Sequence, residues 1–507
     1  MKYRLQYLRA AAALLVVIWH ASYHLWATRG DSSLLSKTPA LSGTLGVTLF
    51  FVISGYLMAT LAVRNTASQF MLHRVIRIYP IYWIVVFAFF CISTALGFGF
   101  TFDTPSLALM PGDGRVYPLG VEWTLPFELS FYLVVFLVIL VRATRFLPAI
   151  AVVWAAAIVV LLQAAPGLQQ GQFPRLSHLL VSQWTLPFAL GLLIPLAVQR
   201  GIVASYLWIL GLVLVALAFL FPASAVYAIP AACVFFVHWA VIPRPKESDL
   251  RSEIKSLTRL GDWSYALYLC HVPIMLWMFR LAPASWSGVL LWCASVVLAL
   301  IAAAGFGTID LAMYRRLKAW VDKSSKVGPI EKAGALFAAL FLMYGGYAEA
   351  EAWRDARLSV YANKIGQQIA SSHPSTPIEV DNAALLAHLQ RDPELDGFAD
   401  ELSCSTDGSI QIRGWAADRS SGSQGLAVLV FNDGAYWGSG IPRLRRPDVV
   451  KALHLNHFGE TPGFVVEVGM RECGSSCSQP SFIVVKGNRY APLRANSQIG
   501  MCLAAKR

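Results

Sequence analysis

The sequence predicts a polytopic α-helical membrane protein that ends in a small β-sandwich-like domain, and three observations carry that expectation. Of 507 residues, 56% are apolar and only 14% charged, with a mean hydropathy of +0.56; no ordinary soluble globule has that balance. Apolar stretches of spanning length recur near residues 5–27, 42–63, 78–100, 121–141, 147–164, 181–199, 203–221, 225–242, 263–282, 288–313 and 333–350, eleven in all. After Trp353 the composition shifts sharply, and from about residue 402 apolar and polar residues alternate in the manner of strands.

The first span contains RAAAALLVVIWH, which carries Arg9 and His20 eleven residues apart. At about 100° per residue, eleven steps complete nearly whole turns, so both lie on one helix face about 16 Å apart along the axis. Charge and imidazole inside a span are costly, so that face must look into protein. There the pair marks either a functional site or a hydrogen-bonded structural one. No cleavable signal is expected, because His20 stands where a small-residue cleavage site would lie.

Basic residues set the orientation. With a cytoplasmic N-terminus, the inside segments include Arg74, Arg77, Arg142, Arg145, Arg315 and Arg316, while the outside loops hold only Arg29, Lys37, Arg115, Arg175 and Arg280. An odd number of spans then sends everything after about residue 351 outside. The net charge of +12 is therefore mostly a topological signal, and nucleic-acid binding is not needed to explain it.

The second span reads GVTLFFVISGYLM, and HRVIRIYPIYW follows a cytoplasmic turn. Arg74 and Arg77, at i and i+3, share a face where the third helix enters the membrane; they suit either phosphate clamping or positive-inside anchoring. Tyr79, Tyr82 and Trp83 suit an interfacial belt. The fourth span opens with VEWTLPFELSFY, which puts Glu122 at the outer boundary and Glu128 about two turns deeper. A carboxylate at that depth must face a partner or water: it orients an imidazole, takes a proton, or sits in a buried ion pair with an arginine. GDWSYALYLCHVPIM in the ninth span offers Asp262, Ser264, Tyr265, Tyr268 and His271, the histidine reading as a satisfied core residue; His24 falls at the outer interface.

Cys91, Cys233, Cys270 and Cys293 sit in apolar spans as small hydrophobes. Cys404, Cys473, Cys477 and Cys502 all fall in the tail, where an oxidising compartment makes two disulfides of unspecified pairing the expectation and a zinc site the rival. The HPSTP run at 373–377 reads as a linker, and NAALLAHLQ as one short helix. SIQIRGWA, LAVLVF before the turn signal NDG, GFVVEV and SFIVV read as strands.

In this order, Arg9 with His20, FFVISGYLM, RVIRIYP, WTLPFELSFY and SYALYLCHVPI together resemble one family, the membrane-bound acyltransferase-3 proteins, over roughly residues 3–315. The resemblance implies a ten-helix acyltransferase bundle at 1–315; beyond it the sequence reads as an additional transmembrane helix at 333–350, a periplasmic helical segment and linker at 351–400, and a disulfide-stapled β-domain at 401–507. It implies an O-acyltransferase of a bacterial inner membrane. Such an enzyme moves an acyl group, usually acetyl, from acetyl-CoA or another acyl-CoA to a hydroxyl of a surface polysaccharide or its lipid-linked precursor.

In that resemblance His20 matches the essential histidine, Arg9 its basic partner, Arg74 and Arg77 the paired arginines of the donor side, and Glu128 the glutamate of the fourth span. No permanent cofactor and no metal are implied; acyl-CoA, a glycan or glycolipid and membrane lipid are the partners. Where the family often has Glu followed by Pro, this chain reads TIDLAMY, with Asp310 as the candidate substitute. Fused members often carry a hydrolase-like acyltransferase with a GDS motif and a distal Asp-x-x-His, and this tail has neither. Its GWAAD, NDG and RRPDVV segments resemble glycan-enzyme β-modules, with Trp415, Tyr436 and Trp437 either binding sugar or filling the core. Tyr56 and Tyr268 are candidate donors to a developing oxyanion. The rival reading is a transporter or flippase whose pathway the same buried charges would line; a receptor-like scaffold is a further one.

Overall fold

The computed structural model describes residues 3–100, 102–112, 117–165, 175–202, 206–242, 254–324, 330–372, 389–404, 410–432, 435–444, 446–455, 461–468 and 480–496. The chain divides into two compact units, Met1–Glu349 and Ala350–Arg507. It is a polytopic helical membrane protein with a β-rich C-terminal domain.

Helix occupies every apolar stretch of the first unit. In chain order these helices are α1 Tyr3–Arg29, α2 Ala40–Ala62, α3 Ala67–Ala95, the single turn α4 Thr104–Leu107, α5 Thr124–Leu140 and α6 Leu147–Ala164. They continue with α7 Leu176–Val181, α8 Leu186–Gly191, α9 Ile194–Gln199, α10 Leu207–Leu220 and α11 Ala225–Val241. Then come α12 Lys255–Asp262, α13 Ser264–Leu281, α14 Gly288–Ser324 and α15 Ile330–Ser372. Among the described residues, eight helical segments are long and apolar enough to cross a membrane; α5 and α10 are shorter apolar helices. Central to the unit is α1, which touches α2, α11, α12, α13 and α14.

Two departures from the apolar pattern have physical causes. The third helix starts at Ala67, not near residue 78, because Thr66 and Gln69 form a capping box that begins it in polar sequence. Arg74 and Arg77 therefore lie two to three turns inside α3. The stretch 181–199 is broken into α7, α8 and α9, with Pro187 and Pro195 in the first turns of the last two. Side chains satisfy the freed carbonyls: Trp154 Nε1 donates to Leu180 O at 2.7 Å, and Thr185 Oγ1 to Leu179 O at 3.0 Å. The break brings Gly191 against Gly55 of α2, where a Cβ on either residue would collide with the opposing backbone. Such contact between small residues is how helices approach closely in lipid. Glu122, expected at the boundary, is fully buried and accepts the Leu119 and Val121 amides at 2.8 and 3.1 Å.

In the second unit the strands are β1 Gln390–Arg391, β2 Leu395–Cys404, β3 Ile410–Asp418, β4 Ala427–Asn432, β5 Ala435–Gly440, β6 Gly463–Val468, β7 Ser481–Lys486 and β8 Arg489–Ala495. A short helix, α16 Pro447–Ala452, falls on RRPDVV. The strands join in one path, β5-β4-β7-β8-β2-β3-β6, with β1 on β8. The end strands β5 and β6 also touch, so the layered packing expected of a sandwich is reached by a single sheet curling nearly into a barrel. Closure needs Gly440, since a Cβ there would sit 2.7 Å from Val465 O.

The run LAVLVF is continuous because both of its faces are covered. Val428 and Val430 join Phe482, Val484 and Trp437 in the interior. Leu429 and Phe431 join Ile483 and Val485 against Ala362 and Ile369 of α15. The sheet begins at Gln390, earlier than residue 401, because the weak strand sequence LDGFADELSC is held by β3 and β8 on its two sides. Cys404 Sγ, Cys473, Cys477 and Cys502 lie outside the described residues, as do the linker at 373–377 and most of the NAALLAHLQ segment.

Asp418, at the end of β3, ties this unit together. Fully buried, its carboxylate accepts from Ser420 Oγ at 2.6 Å, Ser421 Oγ at 2.7 Å, Lys486 Nζ at 2.9 Å and Arg489 Nη2 at 3.0 Å. Burial alone pushes the carboxyl up, but hydrogen bonds from Ser420, Ser421 and Lys486 outweigh it and hold the group well below the usual carboxylate range. A folded value below the unfolded one means stability that is present above about pH 4 and is lost as pH falls toward the folded value. Hydrogen exchange of β7 and β8, corrected for intrinsic rates, should show protection falling as pH drops below about 4. Asp418→Asn should be less protected at neutral pH and respond less to acid.

Candidate active site

Two cavities open in the first unit, and α1 lines both. The first, with about 910 Å³ of empty volume including its open mouth, is lined by Arg9, Arg74, Arg77, Glu128, Tyr132 and Tyr265, with Ser54, Ser264 and apolar side chains between them. The second, about 1180 Å³, is lined by His20 and His24 together with Trp19, Tyr23, Trp123 and Trp184. Val47, Thr124 and Tyr268 line both and form their shared wall. The structure thus gathers Arg9, Arg74, Arg77 and Glu128 in one chamber and sets His20 in the next. The sequence placed Arg9 and His20 on one face of one helix; on the structure that face serves two compartments in turn.

Each arginine is handled differently. Arg77 Nη1 donates to Asp310 Oδ2 at 2.6 Å and lies over the rings of Tyr265 and Tyr314. The departure TIDLAMY therefore has a job: buried Asp310 is the counter-ion of Arg77. Arg9 Nη1 donates to Gln6 Oε1 at 3.3 Å, and Gln6 Nε2 donates to Asp262 Oδ1 at 2.7 Å, so a neutral amide stands between this guanidinium and its nearest acid. Arg74 lies over the Tyr132 ring, and its buried Nε has no hydrogen-bond partner among the described residues.

Glu128 accepts from the Tyr132 hydroxyl one helical turn on; among the described residues it forms no ion pair with an arginine, contrary to one expectation. Counting Asp310 and Asp262, three guanidiniums stand near three carboxylates, but among the described residues only Arg77 is in direct contact with one. The buried hydroxyls of Ser54 and Ser264, which line the same chamber, also have no hydrogen-bond partner among the described residues. Guanidinium and hydroxyl donors not spent on a partner are the makings of an anion site.

The second chamber has a different chemistry. His20 Nδ1 lies 2.9 Å from Nε2 of His271, and the His20 ring is 5.7 Å from His24 and 4.8 Å from Trp19. Trp19 stacks on Tyr23 with 11° between planes, and Trp123 meets Trp184 edge to face. His24 lines this chamber with His20. Tyr268 does not offer a free hydroxyl: its proton goes to Val121 O, and Thr124 Oγ1 sits 2.6 Å away. Tyr56 lines neither cavity. In the β-domain Trp437 is core, the Tyr436 hydroxyl donates to Asn363 Oδ1 at 2.6 Å, and Trp415 is half-buried.

Sequence reading missed Ser54, Tyr132 and the Gln6–Asp262 link. Tyr132 was within reach, since it stands at i+4 from Glu128. Gln6 with Asp262 and Arg77 with Asp310 are separated by hundreds of residues, and no local spacing announces them.

Residues 2–308 match the family model described as an acyltransferase domain. Acyltransferase MdmB of Streptomyces mycarofaciens is 26% identical over 310 residues, covering 54% of this chain and 79% of that protein. The exopolysaccharide production protein ExoZ of Rhizobium meliloti (strain 1021) is 32% identical over 106 residues, 18% of this chain and 33% of that protein. No solved structure matches.

Removing one partner of a buried ion pair costs about 3–5 kcal/mol, whereas replacing both by apolar groups is often near neutral. Asp310→Ala should therefore lower the thermal stability of the detergent-solubilised protein. Arg77→Met combined with Asp310→Leu should recover most of it, as read by thermal denaturation. A double variant no more stable than the single one would show that pairing is not what these residues do for each other.

Proposed function

Since the chain belongs to the acyltransferase family, we propose that it transfers an acyl group, most simply acetyl, from acyl-CoA to a hydroxyl of an extracytoplasmic carbohydrate, such as a surface polysaccharide or its lipid-linked precursor. One observation carries the reading: a single helix presents Arg9 to an arginine-lined chamber and His20 to an aromatic one across a shared wall. Two substrates of unlike chemistry fit two chambers of unlike chemistry. Arg9 lies toward the N-terminal end of α1, so a cytoplasmic N-terminus turns the arginine chamber toward the donor and the His20 chamber toward the acceptor. That orientation follows the basic-residue asymmetry of the loops and puts the β-domain on the far side of the inner membrane.

The donor supplies an activated thioester, and this chain's residues do the rest. Arg74, Arg9 and the Asp310-held Arg77 offer charge and forked donors for its phosphates, and the Ser54 and Ser264 hydroxyls offer neutral donors for its polar arm. Trp19, Tyr23, Trp123 and Trp184 offer ring faces on which the apolar faces of a sugar can stack. His20 takes the proton of the acceptor hydroxyl as its oxygen attacks the thioester carbonyl carbon. The carbon–sulfur bond breaks, and the departing sulfur receives that proton from His20. The acyl end reaches His20 past Val47, Thr124 and Tyr268, which makes the hydrogen-bonded Tyr268 side chain the barrier between the chambers.

Mass spectrometry of surface glycans from cells carrying the wild-type protein, His20→Ala, or no protein tests this directly. Ester should appear only with wild type, because losing a general base costs about 10² to 10⁴ in rate. Arg74→Ala should raise KM for the acyl donor more than it lowers kcat, as expected for a residue that binds rather than reacts. Identical ester content in all three strains, with the protein confirmed in the membrane, would overturn the glycan reading and bring forward a transporter.

A further inference from the structure

His271, on α13, is fully buried and lines neither chamber, yet its ring hydrogen-bonds His20, which also meets the Val16 carbonyl one turn back on α1. Its Nδ1 lies 3.0 Å from Leu267 O and 2.8 Å from Tyr268 O. A carbonyl oxygen only accepts, so Nδ1 of His271 carries a hydrogen, and in the neutral ring Nε2 holds the lone pair. That Nε2 faces His20 Nδ1 at 2.9 Å. Two ring nitrogens at this distance share one hydrogen; with His271 accepting, His20 Nδ1 donates and His20 Nε2 is left as a lone pair. The reverse assignment would make His271 a fully buried imidazolium hydrogen-bonded to carbonyls and imidazole, with no carboxylate in hydrogen-bond contact among the described residues, a costly arrangement.

We infer that His271 is a positioning residue: the hydrogen-bond chain from the α13 carbonyls through His271 holds His20 in its Nδ1–H tautomer, leaving Nε2 ready to accept a proton. The tautomer is read from the His271 contact, and its catalytic consequence rests on the acyl-transfer reading above. In that reaction the acceptor's proton moves to His20 Nε2 and then to the departing sulfur, while His271 keeps its own hydrogen throughout. Because the partner is a neutral imidazole rather than a carboxylate, His20 is oriented without burying another charge among apolar helices. His271 also hydrogen-bonds the carbonyl of Tyr268, the residue whose side chain forms the barrier, so base and barrier are fixed by one turn of α13.

The test uses the full-length protein in lipid bilayers, as wild type, His271→Leu and His271→Gln. Leucine removes the acceptor facing His20, and glutamine can present an oxygen in its place. Solid-state nitrogen-15 spectra of histidine-labelled protein, with the His20 signals assigned by their loss in His20→Gln, should show hydrogen on Nδ1 in wild type and in His271→Gln. In His271→Leu the signal should shift toward the other tautomer. Acyl transfer should show kcat reduced by about 10² in the leucine variant with both KM values little changed, and largely restored in the glutamine variant. Hydrogen on His20 Nε2 in wild type would overturn the inference whether or not acyl transfer is found. Equal losses in both variants with an unchanged tautomer would also overturn it, since that marks a purely structural residue. Absence of transfer by a wild type that shows the Nδ1–H tautomer would sink the acyltransferase reading and leave the hydrogen-bond chain standing.

Discussion

A guanidinium enclosed by apolar helices must meet a carboxylate, a neutral acceptor or a ligand, and much of the helical unit follows from how Arg9, Arg74 and Arg77 meet that requirement. Arg77 is neutralised by Asp310 from α14, which ties the late helix to α3. Arg9 is steadied by Gln6, itself held by Asp262 at the end of α12, so charge is oriented there without being cancelled. Arg74 is left with an aromatic face and an unpartnered Nε. This gradation, from paired to mediated to open, falls within one chamber.

The imidazole side of the unit obeys the opposite rule. His20, His24 and His271 are gathered with tryptophans and tyrosines and meet no arginine or carboxylate in the contacts described. In the proposed reaction the imidazole among apolar rings meets the acceptor hydroxyl and the arginines meet the donor's phosphates. The two environments are kept apart by the hydrogen bonds of Thr124 and Tyr268, and α1 is the element common to both.

What was legible beforehand was whatever has a period. Apolar runs placed the helices, and the eleven-residue spacing put Arg9 and His20 on one face. The alternation in SIQIRGWA marked a strand. What was not legible came from pairings across the chain. Asp310 looked like a departure from an expected Glu-Pro until Arg77 was found against it. His271 looked like a core histidine, and it is one by burial, but the hydrogen bond that satisfies it comes from His20. Glu122 looked boundary-exposed because it sits at a helix start, whereas backbone amides of its own turn make a buried carboxylate tolerable. In the tail, LAVLVF did not reveal that α15 would cover its second face. LDGFADELSC has little intrinsic strand preference and is a strand only because β3 and β8 flank it.

The central claim is that one helix serves a donor chamber at its Arg9 end and an acceptor chamber at its His20 end. The most direct measurement is acyl transfer by the purified protein inserted in one orientation in sealed vesicles, with labelled acyl-CoA and a carbohydrate acceptor confined to chosen sides. The account predicts labelled ester only when acyl-CoA is on the side of the N-terminus and the acceptor is on the other. Ester formed equally well with both substrates on the same side would contradict it, because the two chambers would then not be separate entrances.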